Sequence, residues 1–386
     1  MIPLSVPCLK GKELIYLKEC IKTEYVSSVG KYVRLFEKEI CKFTGSKYAI
    51  SCSSGTTALH LALRVVGVRQ EDEIIVPTIT FIATVNATKY LKANPIFMDC
   101  DDFYNLDVNK TISFIKENTY FKNNFSYNKK TKKRIPAIMA VHVFGNAVDL
   151  LPLIKICKKK NIKIIEDAAG ALGTFYSEGK LKNKYAGTVG DVGCLSFNGN
   201  KIVTSGGGGM ILTGDKKMAK KAMYLSTQAM NDRIRYIHND IGYNYRLTNI
   251  QAAVGLAQLE KIKLFLQKKN KIYNFYKKTF MTVKGISFDK KPKYAKNNKW
   301  MLSIQIDNKV VNLKKDKLIQ LLFRKDIESR SIWLPVHRQK LYLNYEKYKI
   351  KNANKIYKKT LTIPSSINLS LNQVNTVVKT IKEFIK

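Results

Sequence analysis

No apolar run in this sequence approaches the ~18 residues that a membrane-spanning helix needs, so we expect no membrane segment. Residues 1–20 carry five charged side chains and lack the uninterrupted apolar centre of a secretory signal peptide. The seven cysteines are scattered, and none forms a CxxC pair, which argues against a disulfide framework and a zinc site. We therefore expect reduced thiols, a cytoplasmic protein and no bound metal.

Acidic residues are scarce. Aspartate and glutamate total 29 against 68 lysines and arginines, which gives a formal net charge of +39. Such a charge is typical either of a nucleic-acid binder or of a protein that attracts anionic small molecules. The lysines are spread over most of the chain, and the runs at 129–134 and 158–160 fall in a predicted loop and at a predicted helix end. We favour anionic small molecules over nucleic acid.

Short apolar runs alternate with helical patterns through most of the chain. Strands are predicted at 48–51, 73–77, 95–99, 135–143, 162–166, 192–197 and 210–212, and helices follow at 58–66, 80–91, 151–159 and 216–225. A further amphipathic helix, with Val33, Phe36 and Ile40 on one face, follows a turn at 29–30. This alternation predicts an α/β fold with a mainly parallel central sheet that is covered on both faces.

Two domains are expected. Residues 1–250 would form the large α/β domain, interrupted by a polar insertion or surface loop at about 118–134. Residues 251–386 would form a smaller C-terminal α+β domain, with a strand at 301–306 and helices at 314–323 and 373–385. A long 3.6-residue pattern over 248–280 predicts either one long helix or a bent pair.

The chain is organised around residues 196–209, where Lys201 lies between a short strand and four consecutive glycines, 206–209. Glycines allow positive φ and a close approach of the backbone to a ligand. A lysine shielded from water on such a turn has a lowered pKa and can attack a carbonyl. Because lysines are so frequent in this chain, the alternative is that Lys201 is a solvated surface residue.

Three other features point to the same kind of ligand. Residues 53–57 form a hydroxyl-rich turn at a helix start, which either binds a phosphate or simply caps the helix. Asp167 follows a buried strand, at the end where α/β sheets bind ligands, and suits a cationic ring nitrogen unless it is a helix cap. Phe81 either covers a flat cofactor or packs in the core. A phosphate cradle, an aromatic ring, Asp167 and Lys201 together suit pyridoxal 5′-phosphate.

These residues resemble the DegT/DnrJ/EryC1/StrS family, aminotransferases of fold type I (aspartate aminotransferase-like) that act on nucleotide-linked keto-sugars. The resemblance covers nearly the whole chain. It rests on segments 25–30, 54–63, 77–84, 141–145, 166–169, 196–201, 242–246 and 330–337. The run 197–201 and the insertion before Ile135 look most like the branch that serves legionaminic acid and bacillosamine-type sugars.

The resemblance implies a role for each matching residue. Lys201 would be the Schiff-base lysine, and Asp167 would hold the pyridinium proton. Thr56, Thr57 and Ser196 would bind the cofactor phosphate, and Phe81 would stack on the ring. Asn244 would reach the phosphate of the cofactor in the other subunit, which implies a homodimer with shared active sites. Substrate contacts are expected from Arg246, Arg330 and His337.

Three further positions bear on the site. Many family members carry Gln or His where this chain has Gly170, so the contacts at the edge of the cofactor ring are expected to differ. His142 follows an apolar strand and is interpreted as a hydrogen-bonded core or near-site residue rather than a catalytic one. For His337 a structural role is an open alternative to substrate contact.

The expected reaction moves an amino group from L-glutamate to a 4-keto-6-deoxy sugar linked to UDP or GDP, for surface-glycan biosynthesis. Three alternatives remain open. The first is amination of a 3-keto sugar. The second is a sugar dehydratase, although those enzymes replace the lysine with histidine and this chain retains Lys201. The third is a basic nucleic-acid-binding regulator. The sequence contains no zinc-ligand array and no recognisable groove-reading helix that would support it.

Overall fold

A computed structural model describes residues 1–385. It contains eighteen strands. In chain order they are β1 (Tyr48–Cys52), β2 (Glu73–Pro77), β3 (Asn94–Met98), β4 (Thr119–Lys122), β5 (Phe125–Asn128), β6 (Ala137–Val141), β7 (Lys163–Asp167), β8 (Phe175–Tyr176), β9 (Val192–Ser196), β10 (Gly209–Thr213), β11 (Met230–Asp232), β12 (Ile237–His238), β13 (Ile286–Phe288), β14 (Ala295–Lys296), β15 (Leu302–Ile306), β16 (Arg330–Ser331), β17 (Lys347–Tyr348) and β18 (Thr360–Ile363).

The described residues also form twelve α-helices. They are α1 (Glu13–Lys22), α2 (Lys31–Thr44), α3 (Gly55–Val65), α4 (Ala83–Tyr90), α5 (Val108–Asn118), α6 (Leu150–Lys159), α7 (Lys216–Ser226), α8 (Asn249–Glu260), α9 (Ile262–Phe280), α10 (Lys315–Arg324), α11 (Asn352–Lys359) and α12 (Leu371–Phe384).

The central sheet has eight strands in the order β1-β10-β9-β7-β6-β2-β3-β17. Every neighbouring pair from β9 to β17 is parallel, and β10 alone in this sheet runs antiparallel to both of its neighbours. Consecutive residues of β2 face opposite apolar layers, because Ile74 and Val76 pack in one buried cluster and Ile75 in another. The prediction of a mainly parallel sheet covered on both faces is therefore confirmed.

The smaller sheet is antiparallel throughout, in the order β13-β15-β18-β16. Side chains from α9, α10 and α12 pack with this sheet into one apolar cluster. The boundary near residue 250 stays a proposal, since segments cross it in both directions. Strand β17 joins the large sheet beside β3, and Ile2 forms a bridge with Ile327.

Two local predictions are settled by the structure. Residues 248–280 form a pair of helices, α8 and α9, that meet at Lys261. At 118–134, where an insertion or surface loop is predicted, β4 and β5 form a hairpin, so this segment is not an irregular loop. Asn123 and Asn124 at its tip have φ of 49° and 61°, which favours a tight hairpin turn, and Tyr120 stacks on Tyr127 across the strands.

Within residues 1–385, no helix combines the length and the apolar character required to cross a lipid bilayer.

Candidate active site

A cavity of about 560 Å³ lies where the carboxyl ends of β2, β6, β7 and β9 meet. In parallel sheets this edge collects the residues that follow neighbouring strands. The large domain contributes Phe81, Asp167, Ser196 and Lys201, and the C-terminal part contributes side chains from 300–301 and 330–333. We call this space the Lys201 cavity. It brings together most of the site residues that the sequence predicts.

Lys201 follows β9 on a tight turn, closed by a hydrogen bond of 3.0 Å from its backbone N–H to the carbonyl of Asn198. Its Nζ lies 3.6 Å from the centroid of the Trp300 ring. Burial lowers the pKa of this amine to about 7, although the charge of Asp167 opposes the shift. A large fraction of the amine is therefore neutral near pH 7, as a nucleophilic lysine requires.

Asp167 ends β7 and is buried. Its Oδ2 accepts a hydrogen bond of 2.7 Å from Thr84 Oγ1, and its Oδ1 accepts one of 3.0 Å from the backbone N–H of Ala169. Thr80 Oγ1 in turn lies 2.7 Å from Thr84 Oγ1. The carboxylate is thus fixed in orientation. The hydroxyl of Thr84 is a site contact that the sequence did not reveal, although Thr84 belongs to the segment 77–84 on which the family resemblance partly rests.

The N-terminus of α3 opens onto the same cavity through Ser54, Gly55 and Thr56. The first backbone N–H groups of a helix have no partner within the helix and attract anions. Ser196 lies directly against this turn, because a Cβ added to Gly55 would be 2.8 Å from Ser196 Cβ. The Thr57 hydroxyl is committed instead to the capping box with Ser54 and does not line the cavity. Its phosphate contact stays a prediction.

Aromatic rings form one wall. Phe81 is 58% exposed, so it is not a core residue, and its ring centroid is 6.2 Å from that of Trp333. Trp333 in turn lies 5.0 Å from Phe144. Phe144 is buried with φ of 53°, a left-handed conformation that is rare for a bulky residue and that is often found at functional sites. Phe81 is therefore available to cover a flat ligand.

Arg330 lines the mouth of the cavity, with its side chain 71% exposed and its Nη2 2.6 Å from Glu328 Oε1. Asn244 is exposed and lies outside the Lys201 cavity, bridged to Thr227. A residue that acts on the other subunit must face outward in this way. Its predicted role in that subunit stays a prediction.

Two predicted substrate residues are not brought to this cavity. The Arg246 guanidinium donates to the carbonyl of Ser51 at 3.0 Å and to Glu37 Oε1 at 2.9 Å, and it lines a different pocket. His337 is buried beside β2, with Nδ1 2.6 Å from Thr78 Oγ1, and burial lowers its pKa to about 4. Within the protomer, Arg246 and His337 join elements of the fold, and their predicted substrate contacts stay predictions.

His142 is a hydrogen-bonded core residue, as interpreted from the sequence. Its Nδ1 accepts a hydrogen bond from the backbone N–H of Val148 at 3.1 Å, so its Nε2 carries the proton and donates to Glu166 Oε2 at 2.8 Å. Burial raises the pKa of Glu166, but His142 and the backbone N–H groups of Gly187 and Gly190 outweigh it and lower the pKa overall. The pair secures the end of β7 beneath the site.

A second residue that sequence reasoning missed is Trp300. Its indole lies over Lys201 and fills the space in front of Gly170, where a Cβ would overlap the ring. Glycine at position 170, in place of the Gln or His expected from the family resemblance, therefore leaves no gap at that edge of the site. The available signal was the rarity of tryptophan, since both tryptophans of the chain line this cavity.

The arrangement suits pyridoxal phosphate. The N-terminus of α3 would hold the phosphate, Asp167 would face the ring nitrogen, and Lys201 would meet the aldehyde. Glycine at position 55 keeps this cradle open, since a side chain there would collide with Ser196. The fold and these residues together define the class of fold-type I pyridoxal-phosphate enzymes.

Comparisons with known proteins agree with this class. A family model described as the DegT/DnrJ/EryC1/StrS aminotransferase family matches residues 7–382. The chain is 38% identical over 384 residues to GDP-perosamine synthase of Escherichia coli O157:H7, covering 99% of this chain and 98% of that protein. It is 33% identical over 385 residues to the putative pyridoxal phosphate-dependent aminotransferase EpsN of Bacillus subtilis strain 168, covering 98% and 94%. The solved structure of Helicobacter pylori PseC, an aminotransferase, matches with a TM-score of 0.87 at 25% identity, covering 100% of this chain and 99% of that chain.

The chain belongs to the DegT/DnrJ/EryC1/StrS aminotransferase family. It is a nucleotide-sugar aminotransferase, and pyridoxal phosphate is the cofactor typical of its family. The predicted family, fold type and cofactor are thereby confirmed. The finer resemblance to the legionaminic-acid and bacillosamine branch is not specifically supported, because several similar relatives are GDP-perosamine synthases.

Proposed function

We propose that this enzyme transfers an amino group from L-glutamate to the 4-keto group of a GDP-linked 4-keto-6-deoxy sugar. The product would be a 4-amino sugar nucleotide for surface-glycan biosynthesis, made in the cytoplasm. The observation that carries the chemistry is the desolvated Lys201 amine beside Asp167 in one cavity. The choice of GDP is supported by the full-length similarity to GDP-perosamine synthase.

Two side chains would do the central work. Pyridoxal phosphate, when bound, supplies an electron sink for the carbanion that forms next to the transferred nitrogen. Lys201 would hold the cofactor aldehyde and, once released, would carry a proton at Nζ. A pKa of about 7 suits that task, since a general base works best near the operating pH. Asp167, fixed by Thr84, would keep the ring nitrogen protonated.

Binding would be divided among the remaining residues. The first turn of α3 and Ser196 would hold the cofactor phosphate, with Thr57 either joining them or only shaping the turn. Phe81 would cover the ring. Arg330, the exposed cation at the mouth, is well placed to attract the diphosphate of the substrate. Asn244 of a second copy would complete the phosphate site, so we propose a homodimer as the active form.

The experiment is a product assay by mass spectrometry. The purified holoenzyme is incubated with L-glutamate and either a GDP-linked or a UDP-linked 4-keto-6-deoxy sugar. We expect the mass of the amino sugar nucleotide from the GDP-linked substrate, together with 2-oxoglutarate. The Lys201→Ala variant is the control for non-enzymatic amination. Absence of an amino product from every keto-sugar nucleotide would overturn the proposal.

The UDP-linked arm tests the alternative substrate. Similarity to a UDP-4-amino-4,6-dideoxy-N-acetyl-beta-L-altrosamine transaminase, 28% identical over 384 residues, favours an N-acetylamino UDP-sugar as the second candidate. The run Phe197–Lys201 is the feature of the sequence that suggests the legionaminic-acid or bacillosamine type. Amination of the UDP-linked substrate alone would replace the GDP assignment. The position of the new nitrogen on the product separates 4-keto from 3-keto amination.

A further inference from the structure

Position 170 must be glycine for a steric reason alone. A Cβ built at Gly170 would overlap Cε3 and Cζ3 of the Trp300 indole. The backbone at Gly170 is not in the left-handed region that favours glycine, so a positive φ is not the reason for glycine there. The side chain that is absent at position 170 and the indole that fills its space are therefore two halves of one arrangement.

The same indole contacts the loop that carries Lys201 in two ways. Its face lies over the Lys201 amine, with Nζ 3.6 Å from the ring centroid. Its Nε1 donates a hydrogen bond of 2.7 Å to the backbone carbonyl of Asn200, the residue before the lysine. Trp300 thus covers the amine and also fixes the backbone from which the amine extends.

Trp300 is itself held firmly. Its carbonyl accepts hydrogen bonds from Lys269 Nζ at 2.8 Å and from Ser365 Oγ at 3.2 Å. Its backbone N–H donates to Asn298 Oδ1 at 3.0 Å, and Asn298 Nδ2 donates to the carbonyl of Gly170 at 2.9 Å. Asn298 therefore links the tryptophan directly to the glycine that makes room for it, and the indole has little freedom to turn away.

Two opposing effects act on the covered amine. An aromatic face attracts an ammonium ion, which by itself would raise the pKa of Lys201. An indole also excludes water, which penalises the charged form. The other titratable or charged groups that line the cavity are Asp167, His142 and Arg330. Burial lowers the pKa of Lys201 to about 7 in spite of Asp167, and the indole, 3.6 Å from the amine, is part of the surroundings that exclude water.

We propose that Trp300 and Gly170 form a coupled pair in which the indole occupies the space of a side chain at position 170 and keeps the Lys201 amine in dry surroundings. Trp300 is then a positioning residue for Lys201. The inference rests on the proposed function of Lys201, but the pair itself can be measured without cofactor.

The first test measures the steric half of the pair in the apoenzyme. We expect Gly170→Ala to lower Tm in the wild-type background and to have little effect in a Trp300→Ala background, since the overlapping ring atoms are then gone. Gly214→Ala is the matched control, because a Cβ there meets nothing within 4 Å. Equal loss of Tm in both backgrounds would overturn the coupling. If Trp300→Ala does not fold, Trp300→Leu provides the background, because it also lacks the ring.

The second test measures the electrostatic half. The pH profile of Lys201 acetylation in the apoenzyme is read by mass spectrometry, with exposed Lys278 as the internal reference. We expect a midpoint near pH 7 in the wild type and in Trp300→Phe. In Trp300→Ala the midpoint should move toward the ordinary lysine value of about 10.4. Trp300→Leu should shift it less, in the same direction.

An unchanged midpoint in Trp300→Ala, or in Trp300→Leu where that is the variant that folds, would overturn the inference. Borohydride reduction of the wild-type holoenzyme separates this failure from failure of the proposed function. If reduction labels a residue other than Lys201, the proposed function is refuted, but the apoenzyme measurements still test the role of Trp300. If Lys201 is labelled but the acetylation midpoint is unchanged in the Trp300 variant, only the role of Trp300 is refuted.

Discussion

Two lysines of this protein share a lowered pKa but differ in what their amines contact. Burial lowers the pKa of both Lys201 and Lys269 to about 7. Lys269, in the core of the C-terminal part, donates to the backbone carbonyls of Trp300 and Ser365. Lys201 instead meets the face of an indole and opens onto a cavity. A lowered pKa therefore does not identify a reactive lysine; an amine that is also free to meet a ligand does.

The largest difference between the two lysines should be in turnover. Lys201→Ala should reduce kcat by at least about 10³-fold, because it would remove both the proposed attachment point of the cofactor and the proposed proton carrier. Lys269→Met should leave kcat within about tenfold of the wild type, since its amine does not contact a ligand. Steady-state kinetics on both variants measures this. A Lys201→Ala enzyme with near-normal kcat would abolish the distinction.

In the free energy of unfolding, Lys269 should be the more important of the two lysines. Lys269→Met leaves two buried carbonyls without their strongest donor, at a cost of about 1–3 kcal/mol in the free energy of unfolding. Urea denaturation of the apoenzyme measures this change. Lys278→Met, at an exposed position on the same helix, is the control and should stay within about 0.5 kcal/mol of the wild type. If Lys269→Met were as stable as the wild type, the two carbonyl contacts would have no structural role.

Both lysines should make the stability of the apoenzyme depend on pH. Each pKa falls from 10.5 to about 7 on folding, so between these values the unfolded chain binds a proton that the folded chain lacks. The free energy of unfolding therefore rises with pH in this window, by up to about 1.4 kcal/mol per pH unit for each amine. Lys201→Met should reduce the slope measured between about pH 8 and 9.5 by the contribution of one amine, about 1.4 kcal/mol per pH unit. An unchanged slope would show that the Lys201 amine is solvated.

The smallest effect concerns the carboxylate opposite Lys201. Thr84→Val removes the hydroxyl that donates to Asp167 Oδ2, while the bond from Ala169 remains. We expect kcat to fall about tenfold, as for the loss of one hydrogen bond to a charged group. Thr80→Val, one hydrogen bond further away, should have a smaller effect. Equal kcat values for the two variants would remove the role assigned to Thr84.

Much of the fold could be predicted because the central strands are short and buried on both faces. Strand β2 has the predicted bounds, and its alternate residues fill two separate apolar layers. The hairpin of β4 and β5 was missed because its many polar residues hide the alternation, although Tyr120 and Tyr127 pair across it. The place of β17 in the large sheet depends on a pairing with distant β3 that local patterns do not contain.

The residues of the site likewise fall into those that local motifs predict and those that depend on distant contacts. Lys201, Asp167 and the start of α3 could be predicted because each is a local motif at the end of a strand. That Arg246 and His337 lie outside the Lys201 cavity within the protomer could not be predicted, since their partners Glu37 and Thr78 are distant in sequence. Trp300 was missed for the same reason: its importance follows from what it touches, not from its neighbours in the chain.

The central claim is that, of these two buried amines, Lys201 alone carries the cofactor. The most direct measurement is borohydride reduction of the holoenzyme followed by peptide mapping. The account predicts a single stable adduct at Lys201, lost in Lys201→Ala and kept in Lys269→Met. An adduct at Lys269, at another lysine or nowhere would contradict it.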